Sequence, residues 1–157
     1  MCSAAEITDI LEIRLSKKRF QHSLNVAEEA GKLAEKFDYP DKEKAYLTGL
    51  LHDICKEIPK EEQLEMVKKS KLNVSEVELG TPPLFHAVAG AWYAENVLNI
   101  HDDDMLNAVR YHTVGRAGMS KLASPEGCGC KSGIAPVPEH KCPKRLRKTQ
   151  KTIISFS

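Results

Sequence analysis

The chain reads as an all-α protein, on three observations. Apolar residues recur at helical spacing from about residue 5 to about residue 114. No stretch sustains the apolar–polar alternation of a half-buried strand. The punctuation is helical too: cap residues precede the periodic runs, and Tyr39-Pro40-Asp41 and Thr81-Pro82-Pro83 separate them. A chain of 157 residues, 41% apolar and 29% charged, can bury one core as one domain.

The elements follow in order. A first helix is predicted over residues 5–14. A second runs from 17 to 37 behind Ser16 as N-cap. Its stripe is Phe20, Leu24, Ala27, Ala30 or Gly31, Ala34 and Phe37, with His22 and Val26 on the border. Asp41 caps a third helix over 42–56, buried through Leu47, Leu50, Leu51 and Ile54. Pro59 restarts the chain as a fourth helix over 60–70. A fifth, over 84–98, carries Ala87, Val88, Ala89, Gly90 and Ala91, small residues that let helices approach closely. Asp102 or Asp103 caps a sixth over 103–112, which ends near Gly115. Together these predict a helical bundle with orthogonal or oblique packing.

Charge divides the chain. Residues 1–121 hold 16 Lys/Arg against 20 Asp/Glu, whereas residues 122–157 hold 7 against 2. Pro125, Gly127, Gly129, Gly133, Pro136, Pro138 and Pro143 interrupt the second part, and no helical stripe survives there. The expected organisation is a helical domain over 1–122 and a disordered basic tail over 123–157. The total charge of +1 points to neither a nucleic-acid nor a membrane partner. Asp9, Glu12 and Arg14 interrupt what would be the apolar centre of a signal peptide, and no apolar run approaches the ~18 residues of a membrane span. Cys2 and Cys55 are isolated, which speaks against a disulfide framework. The expected compartment is the cytoplasm.

The chemistry lies in the histidines. His52-Asp53 ends the apolar run Ala45–Leu51 and pairs an imidazole with a carboxylate, both ligands for a divalent metal. Taken alone, the dipeptide is also an ordinary helix ending, where histidine suits the dipole. His22, His86 and His112 each lie beside apolar or small residues on a different predicted helix. Singly, each is more simply a surface or helix-terminal histidine. Together they form an ordered set that separate helices can bring to one point. His101-Asp102 is an internal contrast. It lies beside Asp103 and Asp104 and reads as a solvated helix start.

With these residues in order, the chain resembles the HD-domain metal-dependent phosphohydrolase superfamily, and within it the YqeK-like family, over roughly residues 14–122. The resemblance rests on Arg19-Phe20-Gln21-His22-Ser23-Leu24-Asn25-Val26, on Thr48-Gly49-Leu50-Leu51-His52-Asp53-Ile54-Cys55-Lys56, and on His86-Ala87-Val88-Ala89-Gly90. Its most specific part is Asn107–Arg116, containing Tyr111-His112-Thr113-Val114-Gly115-Arg116, followed by Gly118-Met119-Ser120. The resemblance implies an all-α HD bundle that splits symmetrical dinucleoside tetraphosphates, such as diadenosine tetraphosphate to two ADP. It implies a divalent metal, iron in the family, held by His22, His52 and Asp53. The ligand types also suit manganese or zinc. It places His86 and His112, with Asp53, in the catalytic set, facing phosphates or a second metal. His86 and His112 are then candidates to donate hydrogen bonds to phosphate oxygens. Lys56, Thr113 and Arg116 are placed to contact nucleotide phosphates. The implied partners are a nucleotide and, for assembly, a second copy of the chain.

The resemblance stops after Lys121-Leu122. The family continues with a helix of the form Ile-Ile-Tyr-x-Ala-Asp-x-Ile-Glu-Pro, whose Asp is a further metal ligand. Here Ala123-Ser124-Pro125-Glu126-Gly127 follows, and residues 123–157 contain no Asp. The abrupt change suggests a shifted reading frame, which sequencing of the coding DNA tests. It predicts a weaker site, lower stability, and low or absent turnover. The alternative is a noncatalytic nucleotide- or metal-binding helical module. Cys128, Cys130, His140 and Cys142 lack a common zinc-finger spacing, and Lys144–Lys148 reads as a solvated basic run.

Overall fold

Seven α-helices carry the residues described by a computed structural model, which are 2–115, 118–120, 122 and 123. They are α1 (Ala4–Arg14), α2 (Lys17–Lys36), α3 (Lys42–Leu51), α4 (Lys60–Lys69), α5 (Glu76–Leu79), α6 (Phe85–Asn96) and α7 (Asp103–Tyr111). A 3₁₀ turn at Pro82–Leu84 leads into α6. No strand occurs among the described residues. The all-α expectation holds.

Local chemistry sets the helix starts. The Ser3 hydroxyl accepts from Glu6 N, and Glu6 returns a carboxylate to Ser3, a reciprocal cap on α1. Asp41 accepts from Lys44 N on α3, and Asp102 from Met105 N on α7. Asp102 also lies 2.7 Å from Lys44 Nζ, joining the starts of α3 and α7. Ser16 occupies the cap position of α2 but makes no side-chain cap bond. Its N–H and hydroxyl both donate to the Glu57 carboxylate instead, at 2.6 and 2.9 Å.

Three expectations need correction. The third helix was expected to reach residue 56 but ends at Leu51. Beyond it the backbone tightens: Ile54 N donates to Leu51 O and Lys56 N to Asp53 O, each three residues back. The buried face of α2 is Ser23, Val26, Ala27, Ala30 and Ala34, while Phe37 is exposed just past the helix end. The short helix α5 was not anticipated, although Ser75 and Glu78 form the Ser-x-x-Glu capping signature that marks it.

The core lies between α1, α2, α3, α6 and α7. Ile7, Leu11, Leu50, Leu51, Ile54, Ile100 and Met105 are all fully or nearly fully buried. A second cluster of Val67, Phe85 and Val88 seats α4 against α6, with Leu64 and Val74 at its edge. The packing of α2 against α3 brings His22 towards His52 and Asp53. Gly49 makes it possible: a Cβ there would meet Ala27 Cα at 2.6 Å. Gly115 turns the chain after α7 with φ +66°, a conformation that favours glycine.

Candidate metal centre

Each candidate side chain is placed by a helix or by the turn that ends one. His22 lies in the first half of α2, with its side chain 41% exposed. His52 and His112 are the C-cap residues of α3 and α7. Asp53 follows His52 in the tight turn, and His86 is the second residue of α6. Successive helical residues point in different directions. His52 keeps helical dihedrals (φ −55°, ψ −38°) at the end of α3, and the side chains of both dipeptide residues are buried at one site.

Asp53 is the hub. Its carboxylate is almost fully buried and its two oxygens face different neighbours. Oδ2 lies 3.5 Å from His52 Nε2 and 3.9 Å from His22 Nε2. Oδ1 lies 3.3 Å from His86 Nε2 and 3.7 Å from His112 Nε2. Two groups therefore share this carboxylate: His22, His52 and Asp53, and Asp53, His86 and His112, with candidate ligand atoms all within 4.8 Å inside each group.

Proton positions follow from the backbone. His52 Nδ1 is 2.7 Å from Gly49 O, His86 Nδ1 is 2.8 Å from Pro83 O, and His112 Nδ1 is 2.7 Å from Val109 O. A carbonyl only accepts, so each Nδ1 carries the proton and donates. For His52 and His112 the acceptor belongs to the last helical turn, where carbonyls lack helical partners. In the neutral form each Nε2 is then a lone pair turned towards the site, the arrangement metal-binding imidazoles adopt.

Burial works against the Asp53 charge, but the facing His112, His52 and His86 imidazoles, when they carry a proton on Nε2, outweigh it and hold its pKa well below the carboxylate range. Burial, followed by His112 and Lys56, pushes His86 down to about 3. Burial and His52 lower His22 as well.

These residues fit a divalent metal. His52 Nε2 is buried and has no hydrogen-bond partner. His86 Nε2 and His112 Nε2 face each other at 3.2 Å, a separation at which two lone pairs repel unless a cation or proton lies between them. The mixed imidazole and carboxylate set is one that iron, manganese and zinc accept.

The remaining candidates differ in placement. Lys56 Nζ lies 3.1 Å from His86 Nε2, so a positive charge borders the second group. Thr113 directly follows His112, and its Oγ1 is buried without a hydrogen-bond partner. Arg116, the tail cysteines, His140 and the basic run Lys144–Lys148 lie outside the described residues. Arg19 was not singled out for the site. Its Nη1 is 3.1 Å from Asp53 Oδ2, with the side chain 38% exposed. The signal was present in the sequence, because residues three apart on a helix share a face and Arg19 precedes His22 by that spacing. His101-Asp102 stays out of the site, and Asp102 caps α7 as expected.

The pattern of the HD domain family matches residues 19–153. A symmetrical bis(5'-nucleosyl)-tetraphosphatase of Bacillus subtilis (strain 168) is 36% identical over 109 residues, 69% of this chain and 58% of the relative. One from Staphylococcus aureus (strain NCTC 8325 / PS 47) is 38% identical over 108 residues, 69% of this chain and 55% of the relative. The aligned part thus spans little more than half of these relatives. A solved structure from Clostridium acetobutylicum, described as a predicted HD superfamily hydrolase involved in NAD metabolism, superposes with a TM-score of 0.76 at 36% identity. That superposition covers 95% of this chain and 77% of the other. The ordered histidines, the helical fold and these matches lead to one assignment: the chain belongs to the HD domain family.

Proposed function

We propose that the chain is a metal-dependent hydrolase of nucleotide phosphoanhydrides, and that its substrate is a symmetrical dinucleoside tetraphosphate such as diadenosine tetraphosphate. The observation that carries the reading is the pair of His/Asp groups sharing Asp53, with Lys56 beside His86. The names of the curated relatives supply the substrate class.

In this reading His22, His52 and Asp53 hold the metal, which we take to be iron, with manganese or zinc as substitutes. A bound divalent ion supplies Lewis acidity, acidifying water and drawing charge from a phosphoryl oxygen. The chain's own residues do the rest. With Nδ1–H turned to backbone carbonyls, His86 and His112 present Nε2 to the site, where it accepts a proton or ligates a second ion when unprotonated and donates to a phosphate oxygen once protonated. Lys56, Arg19 and Thr113 offer phosphate contacts, with Arg116 a further candidate. Water adds at one of the two central phosphorus atoms, the bond to the bridging oxygen breaks, and the departing diphosphate takes up a proton, leaving two ADP.

The proposal includes an impairment. Asp53 is the one carboxylate in the two ligand groups among the described residues, and no Asp follows residue 122. That favours weak metal retention, and a noncatalytic nucleotide- or metal-binding module is the second reading. The cytoplasm remains part of the proposal. Cys2 and Cys55 are free thiols, which suits a reducing compartment.

A turnover assay with diadenosine tetraphosphate and added iron, manganese or zinc tests this. ADP as the sole nucleotide product, lost in His52→Ala, is expected. Bound metal and bound ADP with no turnover would select the noncatalytic module, and ATP plus AMP as products would refute the symmetrical cut.

A further inference from the structure

Among the described residues, Arg110 is the largest of the fully buried side chains. It belongs to neither of the two ligand groups around Asp53. Its Nη1 donates to Glu78 Oε1 at 2.7 Å and its Nη2 to Asn73 O at 3.1 Å. Its guanidinium carbon stands 4.7 Å from the centre of the Tyr111 ring. Its Nε has no hydrogen-bond partner. A buried charge of this kind costs more to desolvate than an apolar side chain of similar size, so stability alone is a weak reason for it.

Both partners belong to the segment between α4 and α6. Glu78 divides its carboxylate between two tasks. Oε1 takes the Arg110 bond, while Oε2 accepts from the Ser75 hydroxyl and N–H, closing the cap of α5. The backbone then passes the constraint onward. Thr81 N donates to Glu78 O and Leu84 N to Thr81 O. The next group is the Pro83 carbonyl, which takes the Nδ1 proton of His86. Val74, at the other end of the segment, packs against the cluster of Val67, Phe85 and Val88 that joins α4 to α6.

We propose that Arg110 is a positioning residue: through Glu78 it fixes the 73–84 segment, and thereby the Pro83 carbonyl that holds the His86 imidazole with Nε2 turned into the site. Arg110 lies on α7, which ends at His112. The same side chain therefore sets the helix carrying one imidazole against the segment that orients the other. This matters at His86 in particular. His52 and His112 donate to carbonyls of their own helices, and those acceptors persist as long as the helices do. The acceptor of His86 sits in a non-α turn whose place depends on what ties it down. The functional consequence rests on the hydrolase reading above, but the geometric claim does not.

The test uses the full chain, labelled with ¹⁵N, as Arg110→Lys and as Glu78→Gln. Glu78→Gln keeps the side chain's size and its contacts with Ser75, so the claim does not depend on Arg110→Lys folding. Imidazole nitrogen spectra at neutral pH, with metal removed by chelation, report which nitrogen of each histidine carries the proton. His86 is expected to change from the Nδ1–H form to a mixture of tautomers, while His52 and His112 keep theirs. Zinc affinity is expected to fall about tenfold, with kcat following and KM little changed. If His86 retains the Nδ1–H form in a folded variant, the proposal is overturned. It is equally overturned if all three imidazoles change together, since that marks a general loss of structure. Should no version hydrolyse nucleotide, the hydrolase reading fails while the spectra still decide this one.

Discussion

His86 sets the pH behaviour at the scale of single residues. Its folded pKa is pushed down to about 3, against about 6.5 for an ordinary histidine. The folded chain therefore keeps His86 neutral over a range in which the unfolded chain takes up a proton. Its contribution to stability is complete above the unfolded value and is lost as pH falls from about 6.5 towards 3. His22 is lowered in the same direction. Asp53 acts elsewhere: its depressed pKa stabilises above the ordinary carboxylate value and is lost only in stronger acid. Urea unfolding of chelator-treated protein should show stability flat above about pH 7, then falling by up to about 1.4 kcal/mol per pH unit for one such group. A level profile between pH 6.5 and 4 would contradict the neutral, buried state of His86. Much of the site was legible at this scale. His22, His52, Asp53, His86 and His112 could be named because ionisable groups stood out against apolar stretches. Arg19 was missed although it shares the His22 face, because that spacing alone does not tell a solvent-facing arginine from one that reaches a buried carboxylate.

Among the helices, the packing of α2 against α3 decides the outcome, and at Gly49 it leaves no room for a side chain. A Cβ at residue 49 would meet Ala27 Cα at 2.6 Å and Ala27 N at 3.0 Å, backbone atoms that cannot swing aside. Gly49→Ala should cost about 1–3 kcal/mol, the usual range for overpacking, and should weaken zinc binding by moving His22 away from His52 and Asp53. Gly31 is the control. It lies in α2, where an added Cβ would meet nothing within 4 Å, so Gly31→Ala should be neutral or stabilising by about 0.5–1 kcal/mol. Urea denaturation of both variants separates the cases, and equal effects would rule out close packing at Gly49 as the cause. Helix positions were legible because α2 and α7 carry apolar periodicity, while α3 and α6 are near-continuous apolar runs bounded by cap and proline signals. The end of α3 was not, since Ile54 and Cys55 continue its apolar pattern and are buried from a non-helical turn. The short α5 escaped because its Val77 and Leu79 are exposed and offer no buried stripe.

For the whole molecule, the open matter is where the folded body ends. Leu122 and Ala123 are buried in the main core. The expected boundary at 122/123 therefore falls one residue short of the buried core, and we propose a body running through Ala123 with a separate tail after it, close to where the composition changes. The family match, however, reaches residue 153. Limited trypsin digestion separates the two. Early cuts confined to Lys131, Lys141 and the Lys144–Lys148 run, leaving a helical fragment, are expected; resistance there with early cuts among the helices would overturn the boundary. The sharing of Asp53 between two groups also bears on how the molecule assembles. His52 and Asp53 are neighbours in sequence, so bringing them together closes no loop. His22, His86 and His112 arrive from distant segments, each at the entropic cost of closing a long one. A partly folded chain thus offers an ion only a dipeptide, whereas the complete bundle offers both full groups. An ion that prefers the complete set draws the equilibrium towards the folded chain, making the site a lock on long-range closure as well as a place for chemistry.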